Sequence, residues 1–362
     1  MTKYDEAWVA AEEAKRAWMD ANSLYKTEDE HSSCGVGLVV AISGKPSRKV
    51  VENGINALKA VWHRGAVDAD GKTGDGAGIH VQIPVKFFYD QVRRTGHEPD
   101  ATKLIAVGQV FLPRTDFGAQ EACRTIVETE VLRMGHYIYG WRHVPVDISV
   151  LGDKANATRP EIEQIMIAGP KPDGEDAKER FEKDLYLIRR RIEKKVIEAQ
   201  IQGFYFCSLS CRTLIYKGLF LAESLSVFYP DLNDERFVSR FAIYHQRYST
   251  NTFPQWWLAQ PFRALAHNGE INTIRGNQNW MKSHEIRMAS NNFGDNAISQ
   301  FTRMIDRSKH IHLASNRRSP SPNGGTLLRI TRMSAKRREL NPSNNRIWHI
   351  LPRHIASLGK HR

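Results

Sequence analysis

Apolar positions along the first 300 residues follow two spacings, one typical of helices and one typical of strands. Helices are predicted for residues 4–24, 51–62 and 178–199, the last being the clearest because its apolar positions recur every three or four residues. Its stripe consists of Phe181, Leu185, Ile188, Ile192 and Val196. Between them, the basic residues Arg189–Arg191 and Lys194–Lys195 are predicted to form the solvated face.

Short runs rich in β-branched and aromatic residues predict strands on both sides of this helix. They cover residues 35–43, 77–84, 103–112, 136–142, 203–209, 213–217, 239–245 and 262–267. In the helix predicted for 4–24, Trp8, Ala11 and Trp18 are the expected apolar anchors, and in that for 51–62 the stripe is Val51, Ile55, Leu58 and Trp62. Together the elements predict a mixed α/β sandwich built on extensive, partly antiparallel sheet.

The pattern stops near residue 300. Residues 301–362 hold 14 Lys and Arg against Asp306 and Glu339 alone, which accounts for the whole net charge of +12. Low apolarity with charge of one sign predicts a disordered tail, and the abrupt change in composition indicates a segment foreign to the preceding domain. A nucleic-acid-binding protein that uses this tail is one hypothesis, although residues 1–300 carry no net charge.

The ends and the cysteines restrict the class of protein. Residues 1–33 are acidic and lack an apolar core, so they do not form a secretory signal, and no apolar stretch is long enough to span a bilayer. Four cysteines do not make a disulfide framework, and Cys207 and Cys211 lack zinc-ligand spacing, so we expect core thiols and no metal site. These features predict a cytoplasmic protein without a membrane partner.

Cys34 is the most informative residue, because Cys34-Gly-Val-Gly37 follows the acidic leader and opens an apolar run. If the chain is cut before Cys34, that residue gains an α-amine that can serve as the base for its own thiol. By itself a cysteine before a strand is more often a small buried hydrophobe.

A second motif, Trp62-His-Arg-Gly-Ala66, is followed by Gly74-Asp-Gly-Ala-Gly78. The glycines allow the backbone to approach another group closely. Arg64 could instead be a helix C-cap cation, and the second run a nucleotide loop, although it matches neither standard phosphate-binding pattern.

Two further motifs follow predicted strands. In Tyr244–Thr252, Arg247 at a strand end can bind a carboxylate bidentately, or it can be an ordinary surface arginine. In Leu265–Thr273, Asn268-Gly269 can be a hairpin turn, or the Asn268 amide and the Gly269 N–H can form an oxyanion hole.

Taken together, these motifs resemble the class II, N-terminal nucleophile family of glutamine amidotransferases. Residues 27–298 are similar almost continuously to the amidotransferase region of the bacterial glutamate synthase family, notably over Leu58–His80 and Lys154–Gln164. The resemblance implies a four-layer αββα sandwich. It divides the chain into a removed leader at 1–33, an amidotransferase domain at 34–300 that is incomplete at its C-terminal end, and the tail at 301–362.

The resemblance also implies roles for individual residues. Cys34 attacks the side-chain amide of L-glutamine, while Asn268 and Gly269 stabilise the oxyanion. The substrate-binding residues implied are Arg64, Gly65, Arg247, Ser249 and Thr250. An aspartate motif that binds the substrate amine in the family is replaced here by Gln300–Lys309, and its role is not assigned to Asp306.

In the family, the ammonia released is used to aminate 2-oxoglutarate to glutamate. The resemblance implies that no cofactor binds in this stretch, and that FMN, a 3Fe–4S cluster and NADPH act elsewhere in the full enzyme. The implied partners are the rest of the large subunit and a small iron–sulfur and flavin subunit. A truncated, inactive fragment of that subunit is the alternative hypothesis.

Overall fold

A computed structural model describes residues 6–23, 26, 35–62, 65–174, 176–247 and 254–263. The chain divides into two compact units, Met1–Cys34 and Gly35–Arg362. The first unit contains helix α1 (Glu6–Asn22), as predicted. Two of its expected anchors are wrong, since Ala11 is exposed and Trp18 is 64% exposed, and the side chain of Trp8 lies outside the described residues.

The second unit is built on two four-stranded sheets whose described strand pairs are all antiparallel. Sheet 1 has the order β1–β8–β2–β7 and consists of β1 (Val36–Val40), β2 (Ala77–Gln82), β7 (Thr213–Gly218) and β8 (Phe241–Gln246). Sheet 2 has the order β4–β5–β3–β6 and consists of β3 (Ile105–Leu112), β4 (Tyr137–His143), β5 (Glu161–Ala168) and β6 (Tyr205–Ser210). The predicted mixed sandwich is therefore confirmed, with fully rather than partly antiparallel sheets.

Helices pack against these sheets. Beyond α1 the described helices are α2 (Arg48–Ala60), α3 (Val85–Arg94), α4 (Phe117–Arg133), α5 (Asp153–Ala157), α6 (Ala177–Glu198) and α7 (Leu225–Phe228). Alternation along β3 divides its side chains between two cores. Ala106, Val110 and Leu112 face the core that contains α4 and α6, whereas Ile105, Val107 and Phe111 join the core shared with sheet 1, α2 and α3.

The stripe predicted on α6 is confirmed, because all five of its apolar residues are buried. The predicted solvated face is wrong in part. The side chains of Arg189 and Arg190 are only 12% and 16% exposed, and both pair with Glu193. Lys194 is 63% exposed, as expected.

Other differences concern the ends of elements and one whole strand. Trp62 lies beyond the end of α2 and is 61% exposed, so it does not continue the buried stripe. Strand β5 was not predicted, because buried Glu163 and Gln164 break its apolar alternation. The strand predicted at 262–267 is absent from the described residues 262–263, and its remainder lies outside them.

In the part of the chain that the structure describes, no helix is long and apolar enough to cross a membrane.

Candidate active site

The start of β1 and the end of β8 lie side by side in sheet 1. The antiparallel register pairs Val36 with His245, and one step further the Gln246 N–H donates to the Gly35 carbonyl at 2.6 Å. Gly35 directly follows Cys34 in the chain. The end of β8 is therefore fixed beside the residue that adjoins the candidate nucleophile.

Gln246 joins this strand end to the loop that contains the second motif. Its side chain is 2% exposed, and its Nε2 donates to the Trp62 carbonyl at 3.1 Å. A Cβ added to Gly65 would lie 2.0 Å from Nε2, which is closer than real Cβ atoms come to other atoms. Glycine at position 65 thus lets the loop and Gln246 meet.

Arg247 is the first residue after β8, and its backbone is constrained. Its φ is 95°, in the left-handed region that residues other than glycine rarely occupy, and its N–H donates to the Gly76 carbonyl at 2.6 Å. Such strain persists where the surrounding structure determines it and often marks a functional position.

Asp75 forms an ion pair with the side chain of Arg247, without a hydrogen bond between them. Its Oδ2 lies 3.3 Å from the arginine Nε, and the aspartate side chain is 8% exposed against 47% for the arginine. Burial raises the pKa of the Asp75 carboxyl, which Arg247 partly opposes. An ion pair through Nε leaves the two terminal nitrogens of the guanidinium, which have no ion pair within the described residues, for another carboxylate.

The glycine run around Asp75 is packed rather than open. A Cβ on Gly74 would lie 2.5 Å from the Phe220 carbonyl, and one on Gly78 would lie 2.6 Å from the Gln260 oxygen. Ala77 and Gly78 already belong to β2. The close-approach interpretation of this motif is therefore confirmed, and the loop presents Asp75 to Arg247 instead of a phosphate cradle.

A buried lysine holds the segment that precedes Asn268. Lys217 is fully buried in β7, and its Nζ donates to the Trp257 and Ala259 carbonyls at 2.9 and 2.8 Å. Burial lowers its pKa to about 7. Residues 254–263, which include a short 3₁₀ turn at Trp256–Leu258, are thereby attached to sheet 1.

The described cysteines are unsuited to nucleophilic work. Cys123 and Cys207 are buried, and burial raises the pKa of each thiol to about 12. Burial also raises the pKa of Cys211, with Glu182 nearby adding to the effect. Because the thiolate is the nucleophile, these three thiols stay unreactive near neutral pH.

One cluster in the described residues has the composition of a metal site. It consists of His143, Glu161 and Glu163, whose ligand atoms lie within 4.8 Å of one another. Arg124 donates to both oxygens of Glu163, at 3.0 and 2.6 Å, and the cluster is explained as an ion-pair network.

Of the predicted site residues, Gly65 and Arg247 are described, and the contacts through Gln246 and Asp75 bring their segments to the start of β1. Cys34, Arg64, Ser249, Thr250, Asn268 and Gly269 lie outside the described residues, as do Asp306 and the tail at 301–362. Sequence reasoning assigned no role to Gln246 or Asp75. Each is a polar residue next to a predicted strand, which is the one signal that could have drawn attention to them.

Comparison with known proteins gives a family match that begins at the candidate nucleophile. The model for class-II glutamine amidotransferases matches residues 34–310. The chain is 65% identical over 289 residues, 80% of its length, to the large chain of an NADPH glutamate synthase from Azospirillum brasilense. It is 41% identical over 76% of its length to the large chain from Bacillus subtilis. It is 44% identical over 72% to a ferredoxin-dependent chloroplast glutamate synthase from Spinacia oleracea.

The chain spans 19%, 18% and 16% of the length of these three relatives respectively. The similarity therefore concerns one region of much longer proteins. The two antiparallel sheets with packed helices agree with the N-terminal nucleophile hydrolase fold that the resemblance implied. By its fold and by a family match over most of its length, the chain belongs to the class-II glutamine amidotransferases.

Proposed function

We propose that this chain hydrolyses L-glutamine to glutamate and ammonia, as the amidotransferase domain of a glutamate synthase. The Cys34 thiolate adds to the side-chain amide carbon, and the α-amine of Cys34 takes up the thiol proton and passes it to the leaving nitrogen. Ammonia departs and leaves a γ-glutamyl thioester. Water then cleaves the thioester, which releases glutamate and restores the thiol.

The hydrogen bond between the Gln246 N–H and the Gly35 carbonyl is the observation that supports this proposal best. Gly35 directly follows Cys34 in the chain, and Arg247 directly follows Gln246. In this proposal the nucleophile and a cation that can bind a carboxylate therefore act at the same end of sheet 1.

In this proposal Arg247 binds the α-carboxylate of glutamine through its two terminal nitrogens, while Asp75 fixes Nε. Because Arg247 anchors the α-carboxylate, the γ-amide at the other end of the substrate is presented to the nucleophile. Arg64, Gly65, Ser249 and Thr250 complete the substrate site.

Asn268 and Gly269 supply the donors for the tetrahedral oxyanion. Loss of one donor of this kind typically lowers the rate by about 10²–10³-fold. The segment that leads to them passes through Trp257 and Ala259, whose carbonyls Lys217 holds. That attachment fixes the described part of the segment that precedes them.

The remaining parts of the proposal extend the family resemblance. Removal of residues 1–33 exposes the α-amine of Cys34 before catalysis. The ammonia serves the amination of 2-oxoglutarate in a longer assembly that contains the rest of a large chain and a small iron–sulfur and flavin subunit. FMN, a 3Fe–4S cluster and NADPH belong to that assembly, in the cytoplasm, and no cofactor belongs to this stretch.

Substitution of the nucleophile tests the proposal. We expect Cys34→Ala to lower glutamine hydrolysis by more than about 10³-fold, since removal of a nucleophile in comparable enzymes costs at least that much. Both proteins are assayed with the leader already removed, and thermal unfolding should be unchanged. Cys211→Ala is the matched control and should keep full activity. Retained turnover in Cys34→Ala would overturn the mechanism.

A further inference from the structure

A cavity of about 200 Å³ opens at one end of sheet 2. It lies where β3 ends and β5 begins, beside the Trp256–Leu258 turn. Among its lining residues are Arg114, Thr115, Thr158, Arg159 and Trp257. Two guanidinium groups, two hydroxyls and an indole therefore border one small space.

The two arginines have no fixed counter-anion in the described part of the chain. No carboxylate there lies within ion-pair distance of Arg114 or Arg159, and the Nε of Arg159 donates only to the neutral Asn156 Oδ1 at 3.3 Å. Burial and the nearby charge of Arg114 both lower the pKa of Arg159, and Glu161 opposes them only in part. Two like charges beside one cavity favour the entry of an anion.

An oxyanion in the cavity would neutralise the two arginines, to which the described residues offer no carboxylate.

We propose that this cavity is a binding site for a small oxyanion, held as a carboxylate or a phosphate between Arg114 and Arg159. Arginine forms paired hydrogen bonds with both groups. The volume lies below the roughly 300 Å³ at which pockets for drug-sized ligands begin. This favours inorganic phosphate or a short-chain carboxylic acid over a nucleotide.

Calorimetric titration of the full chain with two probes tests the site, one being sodium phosphate and the other glutarate, a five-carbon dicarboxylate. Ionic strength is held constant with sodium chloride. We expect saturable binding of at least one probe, and the stronger of the two identifies the preferred oxyanion. Arg114→Gln and Arg159→Gln should each weaken binding at least tenfold.

Arg94→Gln is the matched control, since it removes the same charge from an exposed position on α3. Binding should be unchanged in this variant. If a glutamine variant does not fold, Arg159→Lys keeps the charge but removes the paired geometry, and should still weaken binding. The proposal is overturned if neither probe binds the unaltered chain, if the variants at 114 and 159 bind as it does, or if Arg94→Gln weakens binding equally.

Discussion

Asp75 and Arg247 form an ion pair in which the two partners differ in accessibility. The aspartate is buried while nearly half of the arginine side chain is exposed. The left-handed backbone of Arg247 and the hydrogen bond from its N–H to the Gly76 carbonyl fix the main chain of the same residue. At the scale of single residues, the candidate site therefore depends on the position of the Arg247 guanidinium.

We predict that Asp75→Asn raises the KM for glutamine about tenfold, equivalent to about 1.4 kcal/mol of binding, and changes kcat much less. Arg247 would lose the partner that orients it, but the nucleophile and the oxyanion donors would be untouched. Steady-state glutaminase kinetics measure both constants. Asp173→Asn, which removes the exposed ion pair with Arg180, is the control and should leave both unchanged. An unchanged KM in Asp75→Asn would show that the pair does not position Arg247.

The residue types at the site could be predicted from sequence, but their pairing could not. Arg247 and Gly65 belong to motifs whose chemistry can be recognised from the residue types in the sequence. The partnership of Gln246 with Gly65 links residues 181 positions apart, and that of Asp75 with Arg247 links residues 172 apart. Contacts over such distances along the chain follow from the strand register, which no local pattern contains.

At the scale of elements, the side chain of Lys217 attaches the segment 254–263 to sheet 1. Besides its two hydrogen bonds to carbonyls, the Lys217 ammonium lies 4.7 Å from the ring centroids of Tyr205 and Phe262. The attachment connects β7 with the segment that precedes Asn268. Its loss should therefore affect stability and catalysis together.

We predict that Lys217→Met lowers the free energy of unfolding by about 2 kcal/mol, because two carbonyls lose their donor in a buried site. Glutamine turnover should also fall, since the segment before the oxyanion residues loses its attachment. Chemical denaturation and a glutaminase assay measure the two effects. The exposed Lys194 offers the control Lys194→Met, expected to change neither. Full activity and stability in Lys217→Met would contradict the role given to this lysine.

Helix α6 was predicted, whereas helix α3, which buries Phe87, Phe88 and Val92, and strand β5, which contains buried polar groups, were not. The apolar stripe of α6 can be recognised in the sequence because all of its positions pack into the same core. Strand β5 lacks a strand-like sequence pattern because two of its buried residues are polar, and their partners come from other elements. Arg124 donates hydrogen bonds to Glu163, and Gln164 donates one to Gln109. The burial of Arg189 and Arg190 depends in the same way on Glu193 and on the surrounding packing.

At the scale of the whole molecule, stability should depend on a buried histidine near the end of β8 in sheet 1. His245 lies in β8, and burial lowers its pKa to about 4 from an ordinary value of 6.5. Its Nδ1 has no hydrogen-bond partner among the described residues. In the folded state the His245 imidazole therefore resists protonation, whereas in the unfolded chain it is readily protonated below pH 6.5.

We predict that the contribution of His245 to stability is fully present above pH 6.5 and is lost as the pH falls toward 4. The loss reaches about 3 kcal/mol at pH 4, taking 1.36 kcal/mol per pKa unit. Unfolding free energies measured between pH 7.5 and 4 should decline less steeply in His245→Gln than in the unaltered chain. His97→Gln, which changes a partly exposed histidine, should retain the original slope. Equal slopes in all three proteins would contradict the prediction.

The central claim is that Cys34 becomes an N-terminal nucleophile in a site that recognises glutamine. The most direct test is the intact mass of the purified chain before and after treatment with a diazoketone analogue of glutamine, which traps active-site thiols. We predict loss of Met1–Ser33 and a single adduct on Cys34, prevented by excess glutamine. A chain that keeps its leader and takes up no label, or one labelled at Cys211 instead, would contradict the claim.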